Sequence, residues 1–570
     1  MMPMLPIRNL GQIGVITDVN SYDLPPNGVS MANNVRFEDG KIKRAPVFRD
    51  VLNTSSLTPV FSFTFEVPNG YDKIGVADRN GRVWFVQQDL ETDVTETTWF
   101  PQTNVSTIAN DWTGFGLDFT TNNYAIRIGD ESLAVSDEPY TYTYLQGIGY
   151  LNRGDRVPWY ITSTASLFQK LPNWNSTWRC RSLRAYKDFL VALNVTKGVT
   201  EYPTMIKWSD IVQYNSVPGS WDETDTTKSA GENTLAELKT PILDGVTLRD
   251  VFVIYSSDQV WLMEETGDAL VFRFRKLFDN VGIIGTNCAV EVDGRHYVFG
   301  PDDIYVHDTN SVETILDGRN WHYVFDNMNR SQTDKFWVQH NPFTSEIMFA
   351  YVSGDAQANF VGTNYCNRAA LFSYKNQTWS FVDLPNSGRA TPANFSTSVT
   401  WATSTGTWNG TGGTWYDQDE GGDDLMFMPG IASPSNGLTA SRLYGYETAN
   451  NGVLPYSINT EATKPAFAER VAIDLDDTGE ELRAYKVIKS IYPQIETRVA
   501  LQSVDFKFDG VDFPGTPVTW STQVGFSPPT NYKVDTRESG RYLAWRIDTN
   551  DYNDFEFTGF DLDIVATGRR

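Results

Sequence analysis

Catalytic and metal-binding side chains are scarce in this chain of 570 residues. Its 4 histidines, His296, His307, His322 and His340, each lie within or beside a strand-like run, without H-x-x-x-H or H-E-x-x-H spacing. That predicts core or surface histidines rather than metal ligands. The 3 cysteines, Cys180, Cys288 and Cys366, stand far apart without a C-x-x-C pair. They read as reduced, buried thiols, not as a disulfide frame or a zinc site. A G-x-S-x-G elbow, a P-loop and a G-x-G-x-x-G turn are all missing. No cofactor, metal or catalytic residue is therefore expected, and the chain reads as a non-enzyme.

Long apolar runs are missing too. No segment approaches the roughly 18 uncharged apolar residues that span a bilayer. The opening MMPMLPIRNLGQIGVI has no basic stretch followed by an apolar run, so no secretory signal is expected, and synthesis in a cytoplasm is. Basic side chains are in deficit: 46 against 71 acidic ones, a net charge of −25. This argues against a general nucleic-acid binder, which needs a basic patch to displace phosphate counterions. It suits a solvated surface, or one that DNA slides past without adhering.

Carboxylates are plentiful, but a glycosidase pair is defined by a spatial separation that sequence does not display. The run DQDEGGDD (Asp417–Asp424) matches a calcium loop only loosely, because glycines stand where an EF-hand places a ligand. It reads as a solvated loop. The preceding WATSTGTWNGTGGTWYD (Trp401–Asp417) reads as a tight β-loop insertion or a contact surface. Its tryptophans suit packing within a hairpin, or stacking on sugars.

What the chain has in abundance is β-hairpins. Trp, Tyr and Phe number 17, 27 and 33, types favoured on pleated, half-buried surfaces, while Gly 43 and Pro 27 supply turns. RDVFVIYSSDQVWLME (Arg249–Glu264) is an apolar strand, a polar turn and a second strand. GRHYVFGPDDIYVHD (Gly294–Asp308) repeats that grammar. Further copies are Tyr71–Val86, Asn122–Asp137, Lys187–Asp210 and Ser345–Asp383. Their first strands centre on Ile74, Ala125, Val191, Val253, Tyr297 and Phe349. Those intervals suit four-stranded propeller blades of about 40–50 residues plus insertions. Six irregular units predict an all-β chain: an irregular β-propeller with an additional β-sandwich-like C-terminal module. The competing reading is a large all-β protein whose hairpins look alike only because hairpins do. One segment, Thr478–Tyr492, shows a helical apolar face for a few turns but reads equally well as a strand. The expected organisation is an N-terminal arm and hairpin (1–58), blades (59–385), a Trp/Gly-rich insertion with linking strands (386–465) and a C-terminal β module (466–570).

Both ends carry a further signal. Gly14–Phe48 has an apolar opening, a Pro-rich bend, Asn33-Asn34, a hairpin turning at Asp39-Gly40, then Arg44-Ala45-Pro46. This resembles the opening of the tail nozzle family of short-tailed bacteriophages, also called tail tubular protein B or stabilisation proteins. The resemblance continues through Trp208–Asp210, Gly219–Glu223, the Arg249 hairpin, VGIIGTNCAVEVDGRHYVFGPDDIYVHD and ALFSYKNQTWSFVDLP. It extends to RYLAWRI and FTGFDLDIVATGRR, and it weakens around Asn386–Ala440.

The resemblance implies a virion protein, made in a bacterial cytoplasm and built into a tail. It would form a ring, expected as a hexamer, below the portal and the tail adaptor protein. Its partners would be further copies of itself, the adaptor, tail fibres or spikes and a tail needle or plug. Double-stranded DNA would pass through its lumen without specific binding. The turns at Asp258, Asp302-Asp303 and Asp419–Asp424 are candidate lumen-facing loops. A receptor-binding or glycan-cleaving tail propeller is the alternative, and a scaffold inside a cell is a third.

Overall fold

The structure is a computed structural model. It describes residues 4–53, 59–65, 73–79, 81–86, 125–130, 136–162, 168–267, 270–354, 365–395, 423–431, 442–447, 466–475, 484–497, 503–528, 530–549 and 555–569. The chain is an irregular all-β propeller with an additional β-sandwich.

Seven antiparallel four-stranded meanders form the propeller. Blade 1 consists of Pro59–Phe65, Lys73–Asp78, Arg82–Val86 and Ala125–Asp130. Blade 2 consists of Tyr140–Leu145, Ile148–Arg153, Trp159–Ile161 and Gln169–Lys170. Blade 3 consists of Trp178–Tyr186, Phe189–Lys197, Thr200–Trp208 and Gly231–Thr234, and blade 4 of Ile242–Leu248, Val251–Ser256, Gln259–Glu265 and Phe272–Asp279. Blade 5 runs through Ala289–Val292, Arg295–Phe299, Ile304–His307 and Val312–Thr314. Blade 6 runs through Trp337–Asn341, Glu346–Tyr351, Cys366–Ser373 and Thr378–Ser387.

Blade 7 is composite. Thr391–Phe395, Asp423–Gly430 and Arg442–Glu447 are completed by Val47–Asn53, from the other end of the sequence, which pairs along Arg442–Glu447. The first strands of successive blades touch in turn, and that of blade 7 touches that of blade 1, so the ring is closed. Closure by a distant strand removes the free edges that an open meander would expose.

Two features depart from the repeat read in the sequence. Asn122–Asp137 does not open a unit: Ala125–Asp130 is the last strand of blade 1, paired with Arg82–Val86. Blade 2 and the composite blade 7 were not among the six units. Blade 2 has an aromatic first strand, YTYTYL, and a last strand of two residues, so its hairpin signal is short. The ambiguous Thr478–Tyr492 segment is strand from Ala484 onward, and the strand runs to Thr497.

The sandwich draws on both chain ends. One sheet orders Val35–Glu38, Lys41–Arg44, Phe555–Arg569, Ala484–Thr497 and Val534–Asp535, with Leu5–Arg8 also on Phe555–Arg569. The other orders Met31–Asn33, Ala466–Ile473, Tyr542–Thr549, Val504–Val511 and Val524–Phe526. Inward residues alternate, as in Val504, Phe506 and Phe508, which is the period of a half-buried strand. Trp545 packs edge-on against Phe557 and Phe560, with centroids 6.0 and 5.6 Å away.

The Asn33-Asn34 pair fastens the sandwich to the propeller. Asn34 takes φ 56°, a conformation that asparagine tolerates. Its amide donates to the Phe381 carbonyl (2.8 Å), and its Oδ1 accepts from the Asp383 amide (3.0 Å). Asn33 Nδ2 donates to Asp383 Oδ2 at 2.8 Å. The Asp39-Gly40 turn has φ 50° and 76°, the left-handed pair that a two-residue hairpin turn requires.

Candidate functional site at the propeller axis

The innermost strands of the blades converge on the axis, and there the chain places charge among apolar strands. Asp244, in ILDGVTL of blade 4, is fully buried beside a register shift in its strand. Its Oδ1 accepts from Ser182 Oγ (2.6 Å), Arg184 Nε (2.9 Å) and the Gly245 amide (2.9 Å). Its Oδ2 accepts from Arg184 Nη2 (2.6 Å) and the Asn287 amide (2.9 Å). Burial alone would raise this carboxyl, but the Arg184 charge and the surrounding donors hold it below the usual range. Arg184 also donates to Asn287 Oδ1 (2.8 Å), and Asn287 Nδ2 donates to the Tyr140 carbonyl (2.8 Å). One saturated network thus ties the inner strands of blades 2, 3 and 4 to the segment entering blade 5.

Beside it lies a small cleft of about 40 Å³. Its wall comes from the connections that enter blades 2, 5, 6 and 7, including Ser136–Tyr140, Asn287, Asp334–Trp337 and Gly388-Arg389. In an antiparallel meander these entering connections emerge on the same face as the turns between second and third strands. The Asp258 and Asp302-Asp303 turns therefore share the cleft's face. Asp137 in the wall is saturated by Arg79 Nη2 (2.7 Å), Lys335 Nζ (2.8 Å) and the Tyr365 hydroxyl (3.0 Å). Those donors outweigh burial and keep its carboxyl below the usual range. Glu138 is different, because burial raises its pKa.

Arg389 differs again. It is part-exposed, with its guanidinium 5.2 Å from the Phe61 ring centroid, and its Nε is buried without a hydrogen-bond partner. Burial, then the nearby Arg184 charge, pushes its pKa down to about 10, so it still carries its charge at neutral pH.

The histidines do not assemble a reactive centre. His296 and His307 sit on adjacent strands of blade 5, buried against Tyr255 of blade 4. The Tyr255 hydroxyl lies 2.6 Å from both His296 Nδ1 and His307 Nε2, and His296 Nε2 lies 3.0 Å from the Thr247 carbonyl. That carbonyl can only accept, which assigns the protons: His296 donates through Nε2, Tyr255 donates to His296 Nδ1, and His307 Nε2 donates to Tyr255. His307 Nδ1 is then a buried lone pair without a partner. Burial holds His296 down at about 4, and burial with the neighbouring His296 holds His307 down at about 3. His322 pairs with Asp326 at 3.0 Å, and His340 Nε2 meets the Tyr374 hydroxyl at 3.1 Å.

The three cysteines are buried and free. Among the described residues no three His, Cys, Asp or Glu side chains gather as a metal site. Asp258 accepts from Thr240 Oγ1 at 2.5 Å, and burial raises Asp303 to about 6. The Trp401–Asp417 stretch and residues 417–422 lie outside the described residues. Asp423 and Asp424 open a strand of blade 7 rather than a loop.

The Arg184–Asp244–Asn287 network and Arg389 escaped sequence reasoning, since their residues are widely separated along the chain. The available signal was polar residues inside apolar inner strands, Asp244 above all. The arrangement can lock blades together. Comparison with known proteins finds no family model that matches this chain and no curated protein that matches it.

Proposed function

We propose that the chain is a structural subunit of a short bacteriophage tail. Copies of it, expected as six, form a ring-shaped nozzle below the portal and adaptor that helps retain the genome and conducts DNA during ejection. The observation that carries this reading is where the resembling segments sit. The N-terminal hairpin and the FTGFDLDIV strand pair with each other at Ile42–Phe557 and Lys43–Glu556. The Asn33-Asn34 passage joins them to the SFVDLP strand of blade 6. Three of the segments that resemble the tail family thus meet in one joint between propeller and sandwich, while others lie in blades 3 to 5.

The charge of −25 supports the conduit role. Duplex DNA carries one charge per roughly 1.7 Å of axis, and a basic wall would grip it by counterion release. Repulsion from an acidic wall decays within about 10 Å at 0.1 M ionic strength, so a narrow lumen still passes DNA. The lumen-facing loops are expected to be net negative.

A virion reconstruction tests the reading. Six copies around the tail axis below the adaptor are expected; a single copy, or three copies in a fibre, would overturn it. Incubation with surface polysaccharide of the host separates the alternative, because a nozzle releases no sugar whereas a glycan-cleaving propeller does.

A further inference from the structure

We propose that the axial cleft is a binding site for one small monovalent anion of carboxylate size, received by the guanidinium of Arg389. The inference is independent of any role in a tail.

Three observations carry it. First, Arg389 is held in place by its backbone. Its amide donates to the Val60 carbonyl (3.2 Å), and its carbonyl accepts from the Ser62 amide (3.1 Å) and hydroxyl (2.7 Å). A Cβ on the preceding Gly388 would meet the Val60 oxygen at 1.9 Å, so this link tolerates only glycine.

Second, the guanidinium has no carboxylate in hydrogen-bond contact among the described residues, although Asp244 lies near enough to favour its charge. A guanidinium withdrawn from water is costly unless paired. Arg389 has the Phe61 ring beside its guanidinium, and its Nε is buried without a hydrogen-bond partner. Three nearby carboxylates are engaged elsewhere: Asp244 by five donors, Asp137 by Arg79, Lys335 and Tyr365, and Asp334 by Arg181; Glu138 makes no hydrogen bond to Arg389.

Third, the cleft sets the size. About 40 Å³ admits a few waters or one small anion such as formate, because one water needs roughly 10–15 Å³ of such space. Lys335 on the wall makes one hydrogen bond to Asp137 and keeps further donor capacity. Glu138 opposes an anion electrostatically from the same wall.

The test is thermal unfolding of the full chain in increasing sodium formate at constant ionic strength, with sodium sulfate as the larger divalent comparison. A saturable rise in midpoint is expected with formate and not with sulfate. Arg389→Gln should abolish that rise. Glu138→Gln, which removes the opposing carboxylate, should lower the half-saturating formate concentration several-fold. A wild-type response no larger than that of Arg389→Gln would overturn the site. Should Arg389→Gln not fold, an unchanged half-saturation in Glu138→Gln overturns it equally.

Discussion

At the scale of single residues, the chain uses its rare titratable groups for packing. Tyr255 bridges two imidazoles, and removing its hydroxyl leaves His296 Nδ1 and the His307 Nε2 proton unpaired in the core. Each buried group left so costs about 1–3 kcal/mol. Tyr255→Phe is therefore expected to lower the unfolding free energy by about 2–4 kcal/mol in urea titration, and a loss below about 0.5 kcal/mol would sink the proton assignment. A pH effect accompanies it. The folded protein keeps both imidazoles neutral down to about pH 4, whereas in the unfolded chain they protonate near 6.5. Between those values the unfolded state binds more protons, so stability is full above about pH 6.5 and falls as the pH drops toward 4. The slope is up to about 1.4 kcal/mol per pH unit for each histidine. The double variant His296→Gln/His307→Gln should show a shallower fall over pH 6.5–4.5. An identical slope in variant and wild type would refute the buried neutral pair. The placement of His296 and His307 within strand-like runs was legible in the sequence. Their shared hydroxyl was not, because it comes from a different blade.

At the scale of elements, the decisive event is closure of the ring by Val47–Asn53. Phe48 on that strand is buried, with Tyr446 and Tyr444 rings at 5.1 and 6.0 Å. Emptying that site removes apolar contacts and the cross-strand aromatic pairs together. Phe48→Ala should cost about 3–5 kcal/mol. Limited proteolysis should then cut first within blade 7. A variant as stable and as resistant as wild type would show that closure does not depend on this strand's packing. Hairpins of blade 1 and blades 3 to 6 were legible from alternating apolar runs and turn formers. Blade 7 was not, since no local pattern tells a strand that its partner lies some hundreds of residues away.

At the scale of the whole molecule, both chain ends build the sandwich, so the module at 466–570 lacks part of its sheets without strands from the N-terminal region. Deleting residues 1–46 would strip Leu5–Arg8, Met31–Asn33, Val35–Glu38 and Lys41–Arg44 from it. The truncated chain should lose the amide protection of Phe555–Arg569 and Ala466–Ile473 in hydrogen exchange. Retained protection there would mean the C-terminal strands fold alone. Charge acts at this scale too. The isolated protein is expected to show no tight, salt-sensitive binding of duplex DNA in a filter or fluorescence assay. A steep loss of affinity with rising salt would instead reveal a basic surface and contradict the conduit reading.

Alternation of apolar and polar residues, Gly-rich turns and high aromatic content determined by themselves that the chain is all-β, blade-like in its middle and sandwich-like at its end. The Asp39-Gly40 turn belongs to the same local information, because a left-handed two-residue turn is set by the residues in it. Only the tertiary structure decided that the blades number seven, that the N-terminus closes the ring and completes the sandwich, and that Arg184, Asp244, Asn287 and Arg389 meet at the axis. Strand pairing over long separations depends on which edges are left free and which faces must be buried once the chain collapses. Those conditions exist only in the folded molecule.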